Sequence, residues 1–365
     1  MMPRSLKTSP KSSRQDITGS SSLLPIPPTT STMPIAISPP QSEDDSVLRL
    51  ISLSESATDE ALAKQLLVAA NSDGFFYLQD HGIPQALIDG AFGASSSFFL
   101  GAPESEKVAG NGDMGYTAPR QEALSWFMPS SGDYKESFFV ADSSYMSAHN
   151  LHQQLPPTLE EKREVLDRFV KACGETAKKI LRGLAVALGW DREALVKYHN
   201  GQHNRLRLLH YPPVSSDHQP ADPNVPDIRA GAHTDLGSLT LLFQHHISGL
   251  QVSRHGQWLD VAPREGCVVI NIGDALEFWS GAKLRSTIHR VVMPRTQAEQ
   301  ASRFSIAYFI QPDDETVLEP LGHSNVSEEE FGDIIESKGV PRDTKRVLGG
   351  EYKAMRVKRA QRGTR

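Results

Sequence analysis

The residues best suited to chemistry lie in Gly231-Ala-His233-Thr-Asp235-Leu-Gly-Ser. On an extended chain side chains alternate, so His233 and Asp235 face the same side and could grip one metal ion. A third donor is available 54 residues beyond Asp235, in Ser286-Thr-Ile-His289-Arg-Val-Val. Two imidazoles and one carboxylate on one face of a metal leave the opposite positions open, an arrangement suited to non-haem Fe(II) and dioxygen chemistry. Alone, His-x-Asp recurs by chance, and a strand histidine is more often an ordinary core or surface residue. A further 14 residues past His289 comes Arg303-Phe-Ser305. On a strand Arg303 and Ser305 share a face, and a guanidinium beside a hydroxyl suits a carboxylate. The strand is otherwise apolar (Phe304, Ile306 to Ile310), so a buried arginine there needs a partner.

His245 and His246 are rival ligands by proximity. Adjacent residues on a strand point apart, so at most one could reach the metal, and we read both as surface residues. There are only two cysteines, Cys173 and Cys267, which excludes a disulfide scaffold and a four-cysteine zinc site.

These groups need a frame. Up to about residue 200 helical signals dominate: 59–70, 84–99 starting at Pro84, and a long helix over 159–188 with Thr158 and Glu161 as a capping box. Cys173 falls on the apolar stripe of the long helix and reads as a buried thiol. Beyond Asn200 the pattern becomes strands: 205–211, 238–243, 249–252, 257–261, 267–272, 287–292 and 303–310, with His255-Gly256 at a tight turn. Short strands without βαβ alternation argue for an antiparallel sandwich or barrel. The expected fold is α+β, one unit whose helical N-terminal half supports a double-sheet core. The alternative is two separable domains with a boundary near 195–205.

Read together, the motifs resemble those of the Fe(II)/2-oxoglutarate-dependent oxygenases of the isopenicillin N synthase-like class, over about residues 46–355. The segments that carry the resemblance are Asp73-Gly-Phe-Phe-Tyr77, His81-Gly-Ile-Pro84, Gly115-Tyr116, Asp133-Tyr-Lys-Glu136 and Leu206-Arg-Leu-Leu-His-Tyr211-Pro-Pro213. Gly249-Leu-Gln-Val252, Asn271-Ile-Gly-Asp274 and Ser286 to Val291 follow in the same order. The resemblance implies a jelly-roll (double-stranded β-helix) core, with His233, Asp235 and His289 as iron ligands. It implies Arg303 and Ser305 holding the distal carboxylate of 2-oxoglutarate, with Tyr211 assisting. Phe309, Arg207 and Tyr116 become candidates for the substrate pocket, whereas Asn271 and Asp274 read as turn and scaffold residues. Two places depart from the family pattern: Leu209 stands where Asn is common, and the loop before the distal His reads Trp279-Ser-Gly-Ala282. Both put a plant-type substrate class in doubt.

The implied reaction hydroxylates, desaturates or cyclises a small organic molecule in specialised metabolism or small-molecule catabolism, with succinate and carbon dioxide released. The implied requirements are Fe(II), 2-oxoglutarate as cosubstrate and dioxygen, with ascorbate as an optional reductant. Two other readings share the fold: a 2-oxoglutarate-independent Fe(II) oxidase of the isopenicillin N synthase type, and a non-catalytic binding protein.

Composition adds limits. The chain has 365 residues, 38% hydrophobic, with 38 Lys+Arg against 44 Asp+Glu and a net charge of −6. A globally basic nucleic-acid binder is disfavoured, and no run approaches the length of a membrane helix. Residues 1–45 are rich in Ser, Pro and Thr and read as a disordered tail, with a transit peptide as the lesser alternative. Residues 46–200 form the helical N-terminal region, 201–315 the catalytic core, and 316–365 a helical C-terminal segment. That segment ends in a basic tail, with nine Lys/Arg and two acids over 342–365. It reads as a solvated helix end packed through Tyr352, Met355 and Val357, the alternative being an anchor for an anionic partner. The expectation is a cytoplasmic monomer without nucleic-acid or membrane partners.

Overall fold

Four strands come from the half of the chain whose sequence looks helical: β1 (Arg49–Ser52), β2 (Phe75–Gln79), β3 (Gly115–Thr117) and β4 (Glu136–Ala141). They join β5 (Arg205–Tyr211), β6 (Ala230–His233), β7 (Leu239–Gln244), β8 (Leu250–Arg254), β9 (Gln257–Asp260), β10 (Val268–Ile272), β11 (His289–Val291) and β12 (Arg303–Ile310). The computed structural model describes residues 47–54, 59–110, 114–125, 131–220, 222, 225, 227–322 and 326–362. The Ser/Pro-rich tail expected over 1–45 lies outside the described residues. Ser46–Arg365 forms one compact unit.

An eight-stranded sheet runs in the order β1-β2-β10-β7-β12-β5-β4-β3, and a four-stranded sheet in the order β6-β11-β8-β9. All pairings between these strands are antiparallel except β1 with β2. The architecture is therefore α+β with a large antiparallel sheet, and the N-terminal half supplies half of the larger sheet's strands rather than helices alone. The physical reason lies in burial. Phe75 to Leu78 are buried on both faces, as are most residues of β4, so neither strand shows the period-2 alternation that marks a half-exposed strand.

The helices are α1 (Asp59–Ser72), α2 (Gln85–Ser96), α3 (Ser143–Ala148), α4 (Pro157–Glu160), α5 (Arg163–Ala187), α6 (Asp274–Ser280), α7 (Glu328–Ser337) and α8 (Gly349–Arg362). The long helix expected from 159 is broken into α4 and α5, and the Thr158/Glu161 capping box is absent. Pro156 and Pro157 start α4, and the Thr158 N–H donates to the Glu106 carboxylate at 2.9 Å. A capping box does form elsewhere, between Ser327 and Glu330 at the start of α7. The expected His255-Gly256 turn is present, with φ of 50° and 78°, as a two-residue hairpin between β8 and β9 requires. Among the described residues no helix is long and apolar enough to cross a membrane.

Helix α5 seals the large sheet. Leu166, Phe169, Val170, Cys173, Ala177, Ile180, Leu181 and Leu184 form its buried stripe, with the Cys173 thiol fully enclosed as expected. The Phe169 ring meets Phe243 of β7 edge-on at 5.0 Å. We expect Phe169→Ala to cost about 3–5 kcal/mol of stability, measured by denaturant unfolding, because this ring has no solvent-facing side into which its site could collapse.

Candidate metal centre

Register places the candidate ligands together. His233 ends β6 and pairs directly with His289 at the start of β11. Asp235 follows in the turn before β7. The His233 and His289 Nε2 atoms each stand 3.8 Å from Asp235 Oδ1. Their donor atoms all lie within 4.8 Å of one another, and among the described residues no other group of three or more His, Cys, Asp or Glu does so.

Every remaining polar atom of the three residues has its own partner. His233 Nδ1 donates to Gly231 O at 2.7 Å, and His289 Nδ1 donates to Thr287 O at 3.1 Å. Both tautomers are thereby set with the Nε2 lone pair free. Asp235 Oδ2 accepts from Thr240 Oγ1 at 2.6 Å and from Asn271 Nδ2 at 2.7 Å, which leaves Oδ1 for the shared point. Thr240 and Asn271 face each other across β7 and β10, so the sheet itself aims this carboxylate. Burial, then the neighbouring His289, pushes the His233 imidazole down to about 3, so it stays neutral as a ligand must. Burial alone would raise the Asp235 carboxyl, but the two imidazoles and its hydrogen bonds hold it below its ordinary value. Two imidazole nitrogens and one carboxylate oxygen, converging and otherwise satisfied, fit a divalent iron.

Asn271, expected as a turn and scaffold residue, lies within β10 rather than in a turn, and as scaffold it orients a candidate ligand. Asp274 is more than a turn as well, since it opens α6, a helix absent from the sequence reading. Its N–H donates to Asp235 O at 2.8 Å. Gly273 permits this closeness, because a Cβ there would stand 2.2 Å from Gly237 O. Trp279-Ser-Gly-Ala282 is likewise not a plain loop. Trp279 and Ser280 finish α6, and Gly281 caps it in the left-handed region at φ 59°. His245 and His246 stay outside the ligand set as expected, with His245 packed on Phe92 at 4.8 Å.

The inner face of β12 and β5 runs in register as Arg303 opposite Tyr211, Ser305 opposite Leu209, Ala307 opposite Arg207, and Phe309 opposite Arg205. Arg303 is 1% exposed. Its guanidinium lies 4.7 Å from the Tyr211 ring centre and donates to Ile247 O at 3.1 Å, Gln244 Oε1 at 3.0 Å and Ser305 Oγ at 3.5 Å. All of these partners are neutral. Burial draws its pKa below the ordinary arginine value, with Tyr211 opposing. A buried cation surrounded by neutral donors and acceptors is completed by an anionic ligand.

Tyr116, Arg207 and Phe309 line one cavity of about 230 Å³ together with His233 and Asp235. Arg207 donates to Glu122 at 2.6 Å and to Ser137 at 2.9 Å, and Tyr116 donates to Glu136 at 2.6 Å. Sequence reasoning missed Glu122, which joins Arg207 to the buried Lys135–Asp133 pair. It also missed Arg356, whose contact with the His-x-Asp turn spans 122 positions. No local signal announces either.

The comparisons agree with this geometry. The profile of the 2OG-Fe(II) oxygenase superfamily matches residues 202–312, and that of the non-haem dioxygenase N-terminal region matches 47–159. A UPF0676 protein of Schizosaccharomyces pombe is 35% identical, over 79% of this chain and 87% of its own. Homoarginine-6-hydroxylase 2-ODD-C23 of Glycine max is 31% identical, over 78% of this chain and 83% of its own. A full-length Neurospora crassa protein solved in complex with alpha-KG is similar at TM-score 0.72 and 30% identity, covering 87% of this chain and 98% of that one. Motif spacing, ligand geometry and relatives converge: the chain belongs to the Fe(II)/2-oxoglutarate oxygenases of the isopenicillin N synthase-like superfamily and is a 2-oxoglutarate-dependent dioxygenase.

Proposed function

We propose that His233, Asp235 and His289 hold the Fe(II), that Arg303 and Ser305 take the distal carboxylate of 2-oxoglutarate beside Tyr211, and that the substrate is a small organic molecule bound in the cavity lined by Tyr116, Arg207 and Phe309. The observation that carries this reading is the convergence of three donor atoms whose neighbouring polar atoms are all engaged elsewhere. The two packed sheets are read as the walls of a jelly roll, with β6 and β11 of one sheet bringing the histidines to its mouth.

When bound, Fe(II) with 2-oxoglutarate and dioxygen supplies oxidative decarboxylation to succinate and carbon dioxide, coupled to oxidation of a substrate C–H bond. The chain's part is orientation and exclusion of water. Backbone carbonyls lock the two imidazoles, and the β7–β10 pair locks Asp235. Buried Arg303 waits for a carboxylate. Phe309 and Phe139 give the cavity apolar surface, while Arg207 and Glu122 give it a fixed donor and acceptor. The size of the cavity favours a small substrate. So do the relatives: a homoarginine hydroxylase, a proline hydroxylase of Petromyces alliaceus, and the Neurospora crassa protein, solved with thymine and with 5-formyluracil.

The test is succinate formation. With Fe(II) and 2-oxoglutarate, a library of small amino acids, heterocycles and related metabolites is screened for compounds that raise succinate release above the substrate-free rate. At least one member is expected to give stoichiometric succinate and an oxidised product. Dioxygen consumption that is indifferent to 2-oxoglutarate would instead support an oxidase of the isopenicillin N synthase type.

A further inference from the structure

The basic C-terminal segment reads from sequence as a solvated helix end, yet its last helix reaches the metal turn. Lys353, Arg356, Val357 and Ala360 recur at intervals of three and four residues along α8 and line the cavity that also contains His233 and Asp235. Arg356 is 9% exposed. One arm of its fork, Nη2, donates to Thr234 O at 2.8 Å and approaches Thr234 Oγ1 at 3.3 Å. The other arm, Nη1, donates to Asp274 Oδ2 and to Tyr352 Oη. Thr234 is the residue between the two candidate ligands of the His-x-Asp turn. Asp274, at the other end of the fork, binds that same turn twice more. It accepts from Thr234 Oγ1 at 3.1 Å, and its N–H donates to Asp235 O at 2.8 Å.

We propose that Arg356 is a positioning residue for the metal centre. Its guanidinium holds the Thr234 peptide against Asp274, so that α8 sets the spacing of His233 and Asp235 while walling the substrate cavity. This rests on the reading of His233, Asp235 and His289 as iron ligands. The cluster is closed electrostatically: Asp274 and Glu277 face Lys338 and Arg356. Lys338 supports the two acids and spends its remaining donation on Ser286 O at 3.1 Å, away from the turn. The two arms of the planar fork reach Asp274 and Thr234 in fixed directions, a geometry that the shorter, point-charge ammonium of a lysine at this position does not reproduce.

That difference gives the experiment. Arg356→Lys keeps the charge beside Asp274 and gives up the Thr234 contact, and Arg356→Gln gives up the charge as well. Val347→Ala, in the same C-terminal core but away from the turn, is the control for stability alone. Each full-length apo protein is melted, then titrated anaerobically with Fe(II) in the presence of 2-oxoglutarate, following the charge-transfer absorption. We expect Arg356→Lys to melt close to wild type but to bind Fe(II) about 10- to 100-fold more weakly, with a shifted band. Arg356→Gln loses at least as much affinity. Val347→Ala lowers the melting temperature and leaves affinity and band unchanged. Wild-type affinity and band in both Arg356 variants would overturn the proposal, as would an equal loss in Val347→Ala. Absence of the band in wild type would overturn the ligand assignment itself, and the Arg356 role with it.

Discussion

His233→Ala lowers Fe(II) affinity by at least about 100-fold, near 2.7 kcal/mol, and removes 2-oxoglutarate turnover. The argument is geometric. The imidazole presents Nε2 to the point shared with Asp235 and His289, because its Nδ1 is tied to Gly231 O at 2.7 Å. Alanine leaves two donors for an ion that needs three to be held on one face. The fold tolerates the change. His233 stands at the end of a four-residue strand, and Asp235 keeps its hydrogen bonds from Thr240 and Asn271 when the imidazole is removed. The apo variant is therefore expected to melt near the wild-type temperature while failing to bind metal in anaerobic titration. Unchanged iron affinity would take His233 out of the site. The matching variant His245→Ala keeps full affinity, since His245 sits against Phe92 and outside the cluster.

The legible part of this site is the part that local parity controls. His233 and Asp235 are two apart, as are Arg303 and Ser305, and strand alternation alone puts each pair on one face. The strands 205–211 and 303–310 have the bounds expected from their sequence, because the first stops at Pro212 and the apolar run of the second stops at Gln311. What stayed hidden depends on distance or on missing periodicity. β2 is buried from Phe75 to Leu78, so Phe75-Phe-Tyr-Leu carries no alternation to distinguish it from a buried helical turn. Helix α6 is only seven residues long and buried on nearly every side, so it lacks an amphipathic stripe. The residues that hold Asp235 in place are five and 36 positions away, and Arg356 is 122 from Thr234. Such contacts are products of the sheet order, in which β10 lies between β2 and β7, and the order follows from no local segment.

Arg303→Met separates binding from stability, because the two respond in opposite directions. In the free protein Arg303 is a buried cation among neutral partners: Gln244, Ile247, Ser305 and the Tyr211 ring. Its burial works against its own charge and draws its pKa below the ordinary arginine value. Replacement by an apolar chain of similar length relieves that desolvation, so the apo variant is expected to melt at or above the wild-type temperature. The holo enzyme responds the other way. A carboxylate entering this site without its guanidinium loses a charge-assisted bond and keeps its desolvation cost, together about 2–5 kcal/mol. The KM for 2-oxoglutarate is expected to rise by about 30-fold or more, while Fe(II) affinity without 2-oxoglutarate stays at the wild-type value because Arg303 bonds to none of the three proposed ligands. Arg303→Lys falls between them, since a point charge cannot reproduce the fork. A wild-type KM for 2-oxoglutarate in Arg303→Met would move the cosubstrate carboxylate to another cation. A large loss of apo stability would show instead that the arginine's neutral hydrogen bonds hold β12 against β7, and that its charge is incidental.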